Sequence, residues 1–156
     1  MSLANRGLHL EGGKATYVLK SMKIEEIMSS KVPTILESDD VRNANAALIK
    51  CEVGKLVVTN TEGVMRGVVT LAEIPTQVFS SYFDDIITVG SVARKRSLWV
   101  KQSDSLEIAL NRMEQSGEDV LPVIEDPSNP VVIGMLTYRA VMTAYNAALK
   151  EAHGQV

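Results

Sequence analysis

One stretch of this sequence is written twice, and the doubling limits the fold more than any single motif. Lys23–Met28 is followed by Val32-Pro-Thr-Ile-Leu36 and Ser38-Asp-Asp-Val41. Thr88–Ala93 is followed by Leu98-Trp-Val100 and Ser103-Asp-Ser-Leu106 in the same order. At an offset of 65, Ile24 and Ile27 fall on Val89 and Val92, Val41 on Leu106, Ala44 on Ala109, Leu48 on Met113, and Leu56 on Leu121. Gly67-Val-Val-Thr70 then falls on Gly134-Met-Leu-Thr137, an offset of 67. The two added residues lie within Asp126-Pro-Ser-Asn-Pro130, a turn composition that tolerates insertion.

Each copy translates into the same elements. Val32–Leu36 and Leu98–Val100 read as short strands. Asp40 or Ser38 in the first copy, and Asp104 with Glu107 three residues later in the second, read as helix N-caps. Val41, Ala44 and Leu48, like Leu106, Ala109, Leu110 and Met113, then recur at the spacing of one buried helical stripe. Leu56–Thr59 and Leu121–Ile124 read as strands, followed across turns by the apolar strands Met65–Thr70 and Val131–Thr137. A closing helix is expected from Leu71, with Pro75 in its first turns, and from Tyr138 toward Ala152. The fold class is therefore α+β, two β-α-β-β-α repeats packed as a pseudo-symmetric pair. The divisions are a linker segment over 1–22, repeats over 23–78 and 88–150, an inter-repeat linker over 79–87 and a tail over 151–156.

Composition removes several function classes. Sixteen basic against 19 acidic residues give a net charge of −3, so the clustered positive field of a nucleic-acid binder is missing. One cysteine and two distant histidines do not supply a metal centre or a catalytic triad. Gly12-Gly-Lys-Ala-Thr16 has Ala15 where a phosphate loop needs a magnesium-holding hydroxyl. Asp39-Asp40 is read as a helix cap and Asp84-Asp85 as solvated linker. No activated nucleophile or acid/base pair emerges, so the chain is read as a non-enzyme needing no cofactor. No apolar run reaches the ~20 residues of a membrane span, and the chain is expected to be cytoplasmic.

A doubled unit of about sixty residues with Gly67-x-x-Thr70-x-x-Glu73, Gly134-x-x-Thr137-x-x-Ala140 and Leu121-Pro-Val-Ile-Glu125 resembles a tandem pair of CBS (cystathionine-β-synthase) domains. Glu73 stands for the family's usual Asp, Ala140 lacks the acid, and Val57 replaces the Pro of the second strand. Arg6-Gly-Leu-His-Leu10, Val18-Leu19 and Ile24–Met28 further resemble the segment joining bacterial chloride channels and transporters to their cytoplasmic CBS pair.

The resemblance implies an adenine nucleotide (AMP, ADP or ATP) as regulatory ligand in two clefts between the repeats. The first set is Thr70, Glu73, Ser97, Leu98, Trp99, Val120, Leu121 and Pro122. There the carboxylate would hold ribose hydroxyls, the Arg94-Lys95-Arg96 run would meet phosphate or form a solvated turn, and Trp99 would stack on the base or fill the cleft. The second set is Val32, Pro33, Thr34, Lys55, Leu56, Thr137 and Arg139, with Arg139 and Lys55 as cations and no ribose acid. Independently of any ligand, Thr70 and Thr137 are read as caps of the elements that follow them. The resemblance also implies a homodimer, with Val141, Tyr145 and Leu149 as candidate interface, and a membrane-embedded channel domain in the same polypeptide. The alternative is a ligand-free dimerisation module whose nucleotide sites have decayed.

Overall fold

The computed structural model describes residues 13–154, with side chains through 151. The element order is α1 (Gly13–Ser21), β1 (Thr34–Leu36), α2 (Val41–Lys50), β2 (Leu56–Thr59), β3 (Met65–Val69), α3 (Val89–Val92), β4 (Val100–Lys101), α4 (Leu106–Ser116), β5 (Val120–Asp126), β6 (Asn129–Thr137) and α5 (Tyr138–Gly154). Two three-stranded sheets result, ordered β1-β2-β3 and β4-β5-β6, and in each the first strand runs parallel to the second. Thr34 pairs with Val57, and Val100 with Val123. The α+β class and the two copies of strand, helix, strand, strand are as the sequence indicates.

The chain forms two compact units that do not follow chain order. One comprises the described residues through Ser30, Leu98–Pro127 and those from Ile133 onward; the other comprises Lys31–Ser97 and Ser128–Val132. We call them the β4–β6 and β1–β3 units. The reason is visible in four short bridges. Lys23 pairs with Ser105 and Ser29 with Met135, whereas Thr88 pairs with Asp40 and Arg94 with Val68. The segment ahead of each repeat's first strand thus completes the sheet of the other repeat. The same 65-residue offset relates Lys23 to Thr88, Ser29 to Arg94, and Asp40 to Ser105.

The glycine of Gly-x-x-Thr makes this possible. A Cβ on Gly67 would lie 2.6 Å from the Arg94 carbonyl oxygen, and one on Gly134 would lie 2.6 Å from Met28 Sδ and 3.0 Å from the Ser29 oxygen. Arg94 and Val68 exchange both backbone hydrogen bonds (3.0 and 2.8 Å), as do Ser29 and Met135 (2.8 and 2.9 Å). A side chain would hold the edge segments off.

In the β1–β3 unit, α2 begins where Asp40 Oδ1 accepts from the Arg42 N–H at 2.8 Å. Its stripe Val41, Ala44 and Leu48 is buried against Ile35, Leu56, Val58, Val69 and Val89. Arg42 also secures the inter-repeat linker. Its guanidinium donates to the carbonyls of Val78 (3.3 Å), Phe83 (3.2 Å) and Asp85 (3.4 Å), pairs with Asp40 (3.0 Å), and lies 5.5 Å from the Phe83 ring centre.

Three expectations are corrected. The closing helix expected from Leu71 is instead two 3-10 turns, Leu71–Glu73 and Thr76–Phe79. Pro75 sits four residues after Leu71, where its ring would collide with the Leu71 carbonyl of a continuing helix. It also holds Ile74 extended (φ −77°, ψ 119°). The N-cap of α4 is Ser105, not Asp104. Asp104 is buried and its Oδ2 accepts from the Lys101 N–H at 2.8 Å, closing the turn after β4. Finally, Val141, Tyr145 and Leu149 are core rather than interface. They are buried together with Ala15, Val18 and Leu19 of α1 and with Leu106, Leu110 and Met113 of α4. α1 supplies the apolar cover that α5 needs within the same unit.

Candidate ligand-binding residues

Thr70 ends β3 and begins the Leu71–Glu73 turn. Its Oγ1 accepts from the Ala72 N–H at 3.2 Å, and Glu73 Oε1 accepts from the Thr70 N–H at 2.7 Å and from Thr70 Oγ1 at 3.0 Å. This reciprocal capping box satisfies donors at the turn's start. Glu73 Oε2 faces Arg94 Nε at 3.5 Å, with the Glu73 side chain 15% and the Arg94 side chain 44% exposed. Arg94 is therefore placed by its backbone pairing to Val68, and Glu73 by its own N-cap. Ser97 lies in the same unit, and its Oγ is buried without a hydrogen-bond partner. Such an unmade bond costs about 1–3 kcal/mol.

The remaining residues of the first set lie in the β4–β6 unit. Val120, Leu121 and Pro122 are buried along β5, and Leu98 is exposed. Trp99 is half-buried, with the Arg112 guanidinium 5.2 Å from its ring centre and also donating to the Trp99 carbonyl. A cation–π contact takes up part of the ring surface that an adenine would need. Sequence reasoning missed Arg112; its counterpart at the repeat offset is Ala47, which points to no such partnership.

The second set is divided in the same way. Val32, Pro33, Thr34, Lys55 and Leu56 belong to the β1–β3 unit, Thr137 and Arg139 to the β4–β6 unit. Pro33 O accepts from the Val57 N–H at 2.9 Å, which sets Val32–Thr34 beside Leu56. Lys55 is 6% exposed, an unusual place for an ammonium. Thr137 Oγ1 accepts from the Ala140 N–H at 3.0 Å and so caps α5, and Arg139 is exposed. Both threonines act as caps, the role read for them without a ligand.

The β1–β3 unit also carries an open cleft of about 230 Å³ lined by Glu37, Val58, Met65, Arg66, Gly90, Ala93 and Lys95. Arg66 Nε and Glu37 Oε1 are 3.5 Å apart there. Of the residues expected to meet a ligand, Lys95 lines it, and Thr70, Glu73 and Ser97 do not. Its volume lies just under the roughly 300–1,000 Å³ of enclosed small-molecule pockets. Among the described residues, no group of three or more His, Cys, Asp or Glu is placed to hold a metal ion, and no helix is long and apolar enough to cross a membrane.

Known proteins share this arrangement. The chain is 30% identical over 135 residues to a homoserine O-acetyltransferase of Methanocorpusculum labreanum, covering 84% of this chain and 26% of that protein. The chain spans about a quarter of the length of the curated relatives of this kind. A CBS domain pair solved with 5′-methylthioadenosine and S-adenosyl-L-methionine superposes with a TM-score of 0.64 at 16% identity, covering 81% of this chain and 97% of that one. The cytosolic domain of a Mg2+ channel solved with ATP superposes with a TM-score of 0.63 at 16% identity, over 83% of this chain and 52% of that one. The CBS domain model itself matches residues 24–75 and 89–147. The doubled sequence, the two matching sheets and the paired Gly-x-x-Thr caps thus have one common explanation: the chain belongs to the CBS domain family.

Proposed function

We propose that the chain is a regulatory module that binds adenine nucleotides. The observation that carries this reading is the CBS pair itself, which keeps the Thr70 and Thr137 caps in both copies. Support comes from proteins of similar fold solved with ATP, or with two sulfur-bearing adenosine compounds. The buried, unpartnered Ser97 Oγ adds a donor that a ligand would satisfy. Binding would bias the arrangement of a homodimer or of an attached protein by no more than the difference in affinity between the two states.

Two parents are in view. The Arg6–Leu10 segment supports a chloride channel or transporter and a cytoplasmic location, but it lies outside the described residues. The 30% identity to homoserine O-acetyltransferase favours regulation of a metabolic enzyme. A thermal-melt panel with AMP, ADP, ATP, adenosine and GTP tests the ligand class. A ligand at a hundred times its Kd raises the melting temperature by about 5–11 °C. An adenine-selective rise sustains the sensor. A flat panel leaves the ligand-free dimerisation module, a reading favoured by the commitment of Glu73 to its own N-cap.

A further inference from the structure

We propose that the open cleft of the β1–β3 unit binds a free α-amino acid with a short aliphatic side chain. Three charges converge on it. Arg66 of β3 and Lys95 supply two cations, and Glu37, just past β1, supplies a carboxylate. Arg66 Nε and Glu37 Oε1 are 3.5 Å apart, beyond the usual range of a hydrogen bond, and the side chains are 56% and 38% exposed, so a solute reaches both. Among the described residues, neither the Arg66 Nη groups nor Glu37 Oε2 has a hydrogen-bond partner. Lys95 donates one N–H to the Gly90 carbonyl and keeps the rest of its ammonium unspent. Val58, Met65 and Ala93 add apolar wall.

These groups define the ligand. A simple anion would meet the two cations but be repelled by Glu37, and a simple amine would meet Glu37 but be repelled by Arg66 and Lys95. A molecule with carboxylate and ammonium on one carbon satisfies both signs. Its carboxylate takes the Nη fork and the Lys95 ammonium, and its ammonium takes Glu37 Oε2. The cleft measures about 230 Å³. At about 30 Å³ for each liquid water, that is room for about eight non-hydrogen atoms, the size of valine. The fold itself does not require the charges. The Gly90 N–H donates to the Glu37 carbonyl at 2.8 Å, and the equivalent Glu25 N–H donates to the Gln102 carbonyl at 3.0 Å in the β4–β6 unit. There Gln102 stands for Glu37, Ile133 for Arg66 and Ser30 for Lys95, so the same frame is built without them.

Titration calorimetry of the whole chain with L-alanine, L-valine and L-methionine at millimolar concentration tests the assignment. The tightest of the three is then compared with its own amine and its own acid; for L-valine these are isobutylamine and isovalerate. Neither is expected to bind, since each lacks one of the two charges. Arg66→Gln and Glu37→Gln alter exposed or half-exposed side chains outside the core, and each is expected to weaken the amino acid about tenfold, the loss of a charged hydrogen bond discounted for exposure. Absence of binding by all three amino acids overturns the proposal. So does an amine or acid that binds as tightly as its amino acid, or binding that both variants leave unchanged. Inorganic phosphate bound in preference to the amino acids would mark a plain anion site and overturn it as well. A flat nucleotide panel beside amino-acid binding would fell the adenine reading alone.

Discussion

The Cβ that Gly67 lacks would stand 2.6 Å from the carbonyl oxygen of Arg94, 27 positions along the chain. The obstacle is backbone held by two hydrogen bonds, so it cannot swing aside. At Gly134 the nearest atom is Met28 Sδ, the far part of a flexible side chain, with the Ser29 oxygen at 3.0 Å. Gly67→Ala is therefore expected to cost about 1–3 kcal/mol, and Gly134→Ala less. Urea unfolding of the two variants checks the order; equal costs would mean that the edge segment is not held as described.

Arg42 ties the inter-repeat linker at the Phe83 and Asp85 carbonyls and holds the Val78 carbonyl just ahead of it. Arg42→Lys keeps a charge but loses the planar fork that reaches Val78, Phe83 and Asp85 together. It is expected to cost about 1–2 kcal/mol, reduced from the value for buried charged hydrogen bonds because the side chain is partly exposed. Hydrogen exchange over 78–87 should quicken while that of β5 stays unchanged. Uniform quickening throughout would assign Arg42 a global role instead.

Tyr145 separates core from interface. It is 1% exposed within the β4–β6 unit, so Tyr145→Ala is expected to lose about 3–5 kcal/mol of stability. A residue serving only subunit association would instead dissociate the protein without moving its unfolding midpoint at the monomer level. Sedimentation and denaturant unfolding of the same variant distinguish the two.

The repeat, the helical stripes and the caps at Asp40, Thr70 and Thr137 were legible because each is a local pattern or a fixed spacing. Pro75 was legible as a proline but was placed too early in its element. The clash of its ring with the Leu71 carbonyl and the restriction on Ile74 together stop the helix. Val141, Tyr145 and Leu149 form an apolar stripe, and a stripe states that a face is buried without stating by what. The covering helix α1 carries a weak signal of its own, Ala15, Val18 and Leu19, that only packing turns into a partner. Arg112 on Trp99 and Arg42 on the linker are single long side chains reaching across folded segments, and no periodicity encodes them. The Glu73–Arg94 pair was half-legible: both residues stood out, but nothing in the spacing joined them.

The exchanged edge segments also set an order of events during synthesis. Ser29 bonds to Met135, 106 positions later in the chain, so the earlier strand edge must wait for one made well after it. Such distant closures slow folding. The β1–β3 unit faces a shorter delay, since Arg94 follows Val68 by 26 positions. A ribosome making this chain would therefore release one sheet nearly finished while the other still lacked the strand that closes it. Any protease or chaperone acting on the nascent protein would find its target in Lys23–Ser29, waiting for its partner.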